Sequence, residues 1–246
     1  MGWLAKVMAT LPRLSVGSGM SQRAAGQINS DLYSGPNIDV VFDATKGWPF
    51  KDNSISVVTG NHVLEHLADP WAFFAEAWRV LAPSKACNLQ LRLPHGSSNA
   101  GFWDLTHVRY WLPHSFCCFQ PGYGEAVGNP QHNAWRFPFS VMTVYLRVDP
   151  LLRWLLKPGI RYWGLPLIHF FWGGFMEMIV GMRALKTDVD VLRWKMENHA
   201  NSVPAAYCMY QHEYEGRCLG EDEKLRLLFF GEGSRQIQRL SDAYFA

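Results

Sequence analysis

Short apolar runs that stop at polar residues set the rhythm of the first part of the chain. Arg13–Val16 runs into Gly17-Ser18-Gly19, and Gln27–Leu32 carries Asp31 at its end. Asp39–Phe42 stops at Asp43, Ile55–Thr59 at Asn61 and His62, and Ala86–Leu93 alternates until Pro94. Each run has the length of a strand and is bounded by turn residues. Gly47–Ser54 is a polar turn region. Asp69-Pro70 predicts a helix start, with Asp as N-cap and Pro in the first turn. Phe74, Trp78 and Leu81 recur at helical spacing through Trp71–Leu81, and Pro83 lies just beyond. Strand, polar end and next strand in succession predict a mostly parallel sheet with helices on its faces.

The pattern changes after Pro94. His95–Trp111 reads as a polar loop with aromatics, and Pro113–Phe119 as a short helix. Trp135–Val148 and Glu177–Lys186 are long and β-rich, and predict an antiparallel edge that makes the sheet seven-stranded and mixed. Asp149–Trp172 between them reads as a helical insertion. Thr187–Ala246 is more polar, with amphipathic patterns at Glu221–Phe230 and Ser234–Phe245. The expected organisation is one α/β domain over 1–186, with an insertion at about 149–172, and a C-terminal helical extension over 187–246, which offers a surface for a protein partner.

Composition narrows the function classes. The 246 residues include 48% hydrophobic side chains, ample for a core, and 23 basic against 21 acidic residues give a net charge of +2. No basic run announces nucleic acid. Five cysteines, Cys87, Cys117, Cys118, Cys208 and Cys218, form no CxxC pair, as expected for reduced thiols in a cytoplasmic protein. Met1–Thr10 is short and weakly apolar for a signal peptide. Gly159–Met182 is rich in Trp, Leu, Ile and Phe, but Arg161, Pro166, His169 and Glu177 interrupt it, so no transmembrane helix is expected. It reads as a core element or lid, with contact to a membrane surface the lesser alternative.

The chemistry concentrates where the strands end. Asn61–Pro70 places His62, Glu65, His66 and Asp69 directly after an apolar run, where open α/β sheets bind ligands. Gly17-Ser18-Gly19 permits close approach of a ligand to the backbone. Asp31, twelve residues after Gly19, suits the two hydroxyls of a ribose. Met20–Gly26 is too short for the helix that a pyrophosphate would require, so a ribose-bearing ligand without pyrophosphate fits better. His62, Glu65 and His66 have i, i+3, i+4 spacing, which on a helical turn would face one way; with His107 as a fourth ligand they form a metal candidate. Such a mixed nitrogen and oxygen set suits zinc, manganese or iron. The plainer reading is a structural Glu65/His66 pair. His95–Ser98 is expected to line an acceptor pocket, Trp103, Tyr110 and Trp111 to stack on a ring or join the core, and Cys117-Cys118 to pack.

The order of these segments resembles a family. Leu14–Gly19, Ile28–Leu32, Val40–Thr45, Trp48–Ser54, His62–His66 and Trp78–Pro83 together look like a class I S-adenosylmethionine-dependent methyltransferase. They are most similar to a compact bacterial and phage branch in which the first helix is reduced to a loop. That branch also has an Asp-x-Thr-His-x-Arg segment, matched by Asp104–Arg109. The resemblance implies a Rossmann-like fold and S-adenosyl-L-methionine as cofactor. It implies that Gly17, Ser18 and Gly19 line the methionine part, Asp31 binds the ribose, Asp43 and Ala44 sit at the adenine, and Asn61 and His62 stand beside the sulfonium. His107 and His62 become the expected bases, with Asp104 orienting an imidazole. The expected acceptor is a small molecule or saccharide methylated on oxygen or nitrogen. The alternative is an inactive relative serving as a structural or partner-binding subunit; a metal-dependent hydrolase leaves the glycine turn unexplained. Ser56, where the family commonly has an acid, and Ala82–Lys85, without the usual glycines, depart from the pattern.

Overall fold

The computed structural model describes residues 11–21, 24–129, 136–149, 151–152, 173–198 and 205–208. Eight strands form one sheet: β1 (Arg13–Val16), β2 (Gln27–Asp31), β3 (Val40–Val41), β4 (Val57–Asn61), β5 (Leu89–Pro94), β6 (Phe139–Val148), β7 (Phe175–Ala184) and β8 (Ala205–Cys208). Their order is β3-β2-β1-β4-β5-β7-β6-β8. The first five are mutually parallel, β7 runs antiparallel between β5 and β6, and β8 lies parallel to β6. The mixed, mostly parallel sheet and the long antiparallel pair agree with the sequence pattern. The eighth strand corrects the seven-stranded expectation. It also lies in the stretch expected to be a helical extension, so the chain returns to the sheet after the helix Asp188–Glu197. The insertion beyond Leu152 and the patterns at Glu221–Phe230 and Ser234–Phe245 lie outside the described residues.

The turn from β1 to β2 contains no helix among its described residues. Ser21 N donates to Ser18 O and Gln27 N to Ala24 O, which closes the connection through tight turns. At the far end, Ser56 Oγ donates to the carbonyls of Leu11 and Pro12, so the serine that replaces an acid ties the entry of β1 to β4.

Helix α1 (Pro70–Val80) starts as its sequence predicts. Asp69 Oδ1 accepts from Trp71 N at 3.0 Å and Ala72 N at 3.3 Å. Its buried face is Phe73, Phe74, Ala77 and Val80, and Leu81 is buried at its C-cap, so of the expected Phe74, Trp78 and Leu81 only Trp78 departs. Trp78 lies at the margin of the core instead. Its Nε1 donates to Leu185 O, and the Lys186 ammonium stands 3.9 Å from the ring centroid. Phe74 stacks on Phe119 at 3.7 Å and meets Phe116 and Phe139 edge-on. This aromatic layer joins α1, the turn Pro113–Phe119 and β6 into one core.

Arg79 fixes the polar turn region against α1. Its guanidinium donates to Glu76, to the Phe50 and Trp48 carbonyls and to Asp52 at 2.7–3.0 Å. Trp48, which this clamp covers, is buried against Phe73. The Trp48–Ser54 motif is therefore a scaffold for the loop after β3.

Candidate active site

The strand order reverses at β1. Its last residue, Val16, pairs with Ser30 of β2 on one side and Gly60 of β4 on the other. The polar strand ends consequently gather at one crevice beyond the carboxyl edge, the place where such sheets bind ligands.

On the β1–β2 side the site is built from backbone. Gly17 and Gly19 have φ of +64° and +52°, a region that side chains disfavour. A Cβ on Gly17 would stand 2.3 Å from Val63 Cγ2, whereas one on Gly19 would meet nothing within 4 Å. The first glycine lets the β4 turn pack closely, and the second leaves open space at the crevice. Gly19 N donates to Asp31 Oδ2 at 2.8 Å, and Tyr33 N to Asp31 Oδ1 at 3.2 Å. Each Asp31 oxygen keeps a lone pair for a further donor. Ser18 is buried; its hydroxyl donates to Ser15 O, so it supports the turn rather than reaching a ligand.

Asp43 is more constrained than expected. Its Oδ1 accepts from Thr45 N and Thr45 Oγ1, and its Oδ2 lies 3.2 Å from Lys46 Nζ. The Thr45 bonds, with Lys46 beside them, hold the carboxyl below its usual range. The side chain thus builds its own turn. The Ala44 carbonyl accepts from Trp48 Nε1, which steadies the same loop.

On the β4–β5 side the site is built from ion pairs. His62 has φ +53° and precedes a single 3₁₀ turn, Leu64–His66. The predicted helical face of His62, Glu65 and His66 is therefore broken at His62. Its Nδ1 lies 3.1 Å from Glu65 Oε1 and its Nε2 2.9 Å from Glu177 Oε1. Hydrogen bonds first from Glu177 and then from Glu65 raise its pKa to about 9. Both ring nitrogens donate in this state, so His62 stands as an imidazolium and has no free lone pair to act as a base. Arg92 grips Glu177 through Nε at 2.8 Å and a terminal nitrogen at 2.9 Å, and Arg147 adds a contact at 3.5 Å. Burial alone would raise the Glu177 pKa, but the bonds from His62 and Arg92 outweigh it and hold it at about 2.

Glu177, Arg92 and Arg147 were not among the expected site residues. Their signal was present as charges inside apolar strands, Arg92 in β5, Arg147 in β6 and Glu177 in β7, but their partners are 85 or more residues away along the chain for Arg92 and His62.

The Asp104–Arg109 segment closes the crevice from above. Val108 N donates to Glu65 O and Arg109 to Ala68 O, which docks the segment on the 3₁₀ turn. Asp104 Oδ1 accepts from Thr106 N and Oγ1, and these bonds hold its carboxyl below the usual range. His107 Nδ1 lies 2.8 Å from Gly101 O. A carbonyl only accepts, so Nδ1 carries the proton and Nε2 holds a lone pair. Asp104 Oδ2 stands 3.7 Å from that Nε2. His66 and His107 meet edge-on with centroids 4.8 Å apart.

The aromatics divide. Trp111 is buried at 6% exposure, while Trp103 is 76% and Tyr110 52% exposed, the latter stacked on Phe102 at 4.2 Å. His95 is buried, with its Nδ1 2.8 Å from Ser97 Oγ. Cys117 is buried and Cys118 half-buried, as packing residues would be.

A family described as a methyltransferase domain matches residues 2–87, which span β1 to β4 and α1. The chain is also similar, at low identity, to solved structures. An S-adenosylmethionine-dependent methyltransferase from Archaeoglobus fulgidus is 17% identical, with 73% of this chain and 91% of that one covered at a TM-score of 0.46. One from Mesorhizobium loti is 16% identical, with 71% and 91% covered at 0.39. A phosphoethanolamine N-methyltransferase from Haemonchus contortus, solved with S-adenosyl-L-methionine, is 13% identical, with 75% and 53% covered at 0.37. No curated protein matches the chain. The matched stretch carries the glycine turn, Asp31, Asp43 and the His62–His66 turn.

The residues present suit a ribose-bearing ligand such as S-adenosyl-L-methionine: Gly19 has open space beside its backbone, and Asp31 offers unused lone pairs at the tip of β2. Among the described residues no helix is long and apolar enough to cross a membrane.

Proposed function

We propose that the chain moves a methyl group to oxygen or nitrogen of a small-molecule or saccharide-type acceptor, and that the loop 95–112 receives this acceptor. Bound S-adenosylmethionine supplies an electrophilic methyl on a sulfonium. Gly17, Gly19 and Asp31 would hold its methionine and ribose parts, the Asp43–Ala44 turn its adenine, and Asn61 and His62 would stand beside the sulfonium. The observation that carries this reading is the 2.8 Å bond from Gly19 N to Asp31, which joins the glycine turn and the ribose acid into one cradle.

Of the expected catalytic residues, His107 retains the part of base. Its Nε2 lone pair is oriented by the Nδ1 bond to Gly101 O, and Asp104 lies where it steadies the imidazolium formed after proton uptake. His62 takes another part: as a cation between Glu65 and Glu177 it fixes the turn that follows β4. The exposed Trp103 and the Phe102–Tyr110 stack beside this loop favour an acceptor with a ring face, such as a sugar.

The test is methyl transfer from methyl-labelled cofactor to a panel of glycosides, phenols and amines. His107→Ala should lower kcat by about 100-fold with cofactor affinity unchanged. Transfer as fast in His107→Ala as in the parent would remove His107 from the chemistry. No transfer to any acceptor, with cofactor still bound, would favour the partner-binding alternative.

A further inference from the structure

The same Nε2 of His107 faces a second possibility, and two other side chains create it. Glu65 is buried at 2% exposure, and its Oε1 is engaged by His62. Its Oε2 is buried with no hydrogen-bond partner. A buried carboxylate oxygen without a partner is costly unless something positive reaches it.

The two nearby histidines present the matching lone pairs. His66 Nδ1 lies 3.3 Å from the Thr106 carbonyl, which can only accept, and 3.0 Å from Thr106 Oγ1, whose own proton goes to Asp104 at 2.6 Å. Nδ1 of His66 is therefore the protonated nitrogen. His107 is fixed in the same tautomer by Gly101 O. Both rings thus turn an unprotonated Nε2 away from their anchoring carbonyls. Anchoring Nδ1–H on a carbonyl is how proteins orient a metal-binding imidazole. One ligand atom from each of Glu65, His66 and His107 lies within 4.8 Å of the others. A contraction of about 1 Å by side-chain rotation would bring all three to the roughly 2.0–2.2 Å of a transition-metal bond.

We propose that Glu65, His66 and His107 bind one divalent first-row transition-metal ion, with zinc as the representative, through two imidazoles and one carboxylate. His62 is not a ligand: both of its nitrogens are turned to carboxylates, Glu65 and Glu177. The set is a corrected form of the four-residue candidate. Two nitrogen donors disfavour magnesium and calcium, and the exposed side at His66 and Asp104 leaves a coordination position open. The ion site stands on its own geometry. Only one consequence touches the proposed reaction: with the ion bound, His107 is a ligand and no longer available as the base.

Calorimetry on chelator-stripped full-length protein tests it, with zinc chloride and magnesium chloride as titrants and S-adenosylhomocysteine binding measured in parallel. One zinc ion per chain is expected, with magnesium at least about 100-fold weaker. His66→Ala, His107→Ala and Glu65→Gln should each weaken zinc by at least about 100-fold, while His62→Gln, which removes a hydrogen bond to Glu65 but no ligand atom, weakens it clearly less, by about 10-fold. His66 is exposed, so its variant keeps the fold even where Glu65→Gln does not. Absent zinc binding, binding that survives in both histidine variants, or equal loss in His62→Gln would overturn the proposal. S-adenosylhomocysteine binding should be the same in parent and His66→Ala; its absence throughout would count against the methyl-transfer reading and leave the ion site standing.

Discussion

The two rims of the crevice are made by different means. The β1–β2 rim uses backbone: two glycines at positive φ, and a carboxylate that accepts from the amide of Gly19 twelve residues earlier. The β4–β5 rim uses charge: the cations His62, Arg92 and Arg147 meet on Glu177, and His62 also meets Glu65, which links β5, β6 and β7 to the turn after β4. A rim of backbone is specified locally and can hold one cofactor with little adjustment. A rim of charge depends on distant elements arriving together, and is stable only while every member is paired.

The largest effect is expected from breaking the charged rim. Glu177→Gln leaves Arg92, Arg147 and His62 without their common anion and should cost about 2–4 kcal/mol near neutral pH, read from urea melts. The pH dependence gives a sharper signature. Glu177 is held at about 2 in the folded protein against its ordinary 4.5. Its ionised form therefore contributes stability in full above about 4.5, and this is lost as pH falls from there towards about 2. The difference between parent and Glu177→Gln should accordingly shrink in acid. A difference that stays constant down to about pH 3 would mean that Glu177 is not held by these cations.

A smaller effect is expected from the backbone rim, and it should split between two similar residues. Gly17→Ala meets Val63 at 2.3 Å as well as an unfavourable φ, and should cost about 2–3 kcal/mol. Gly19→Ala meets only the φ, and should cost about 1 kcal/mol of stability while still weakening cofactor binding, because its methyl projects into the open space. Equal melting temperatures for the two variants would show that Val63 does not pack against the turn.

This contrast also explains what was legible in the sequence. Glycine turns, acids at strand ends and the Asp69-Pro70 helix start are local features, because the physical reason for each residue lies within a few positions. The sheet's first five strands followed from them. The His62 network was not legible, since periodicity assumed a helix through residues 62–66 and no local signal announces a left-handed histidine. One residue of the expected helix face, Trp78, was misjudged for a related reason. Trp78 looks like core in isolation, and only Leu185 and Lys186, more than a hundred residues away, draw it to the margin. The buried carboxylate of Glu65 was visible only as one member of a motif; its unpaired oxygen depends on the fold.

The central claim is that the backbone rim is a cofactor cradle anchored by Asp31. Calorimetry of the purified protein with S-adenosylhomocysteine, parent against Asp31→Ala, tests it most directly. The account predicts one molecule bound per chain, and an affinity about 30-fold lower in the variant, near 2 kcal/mol, with an unchanged melting temperature in the absence of ligand. No binding by the parent, or Asp31→Ala binding as tightly as the parent, would contradict it.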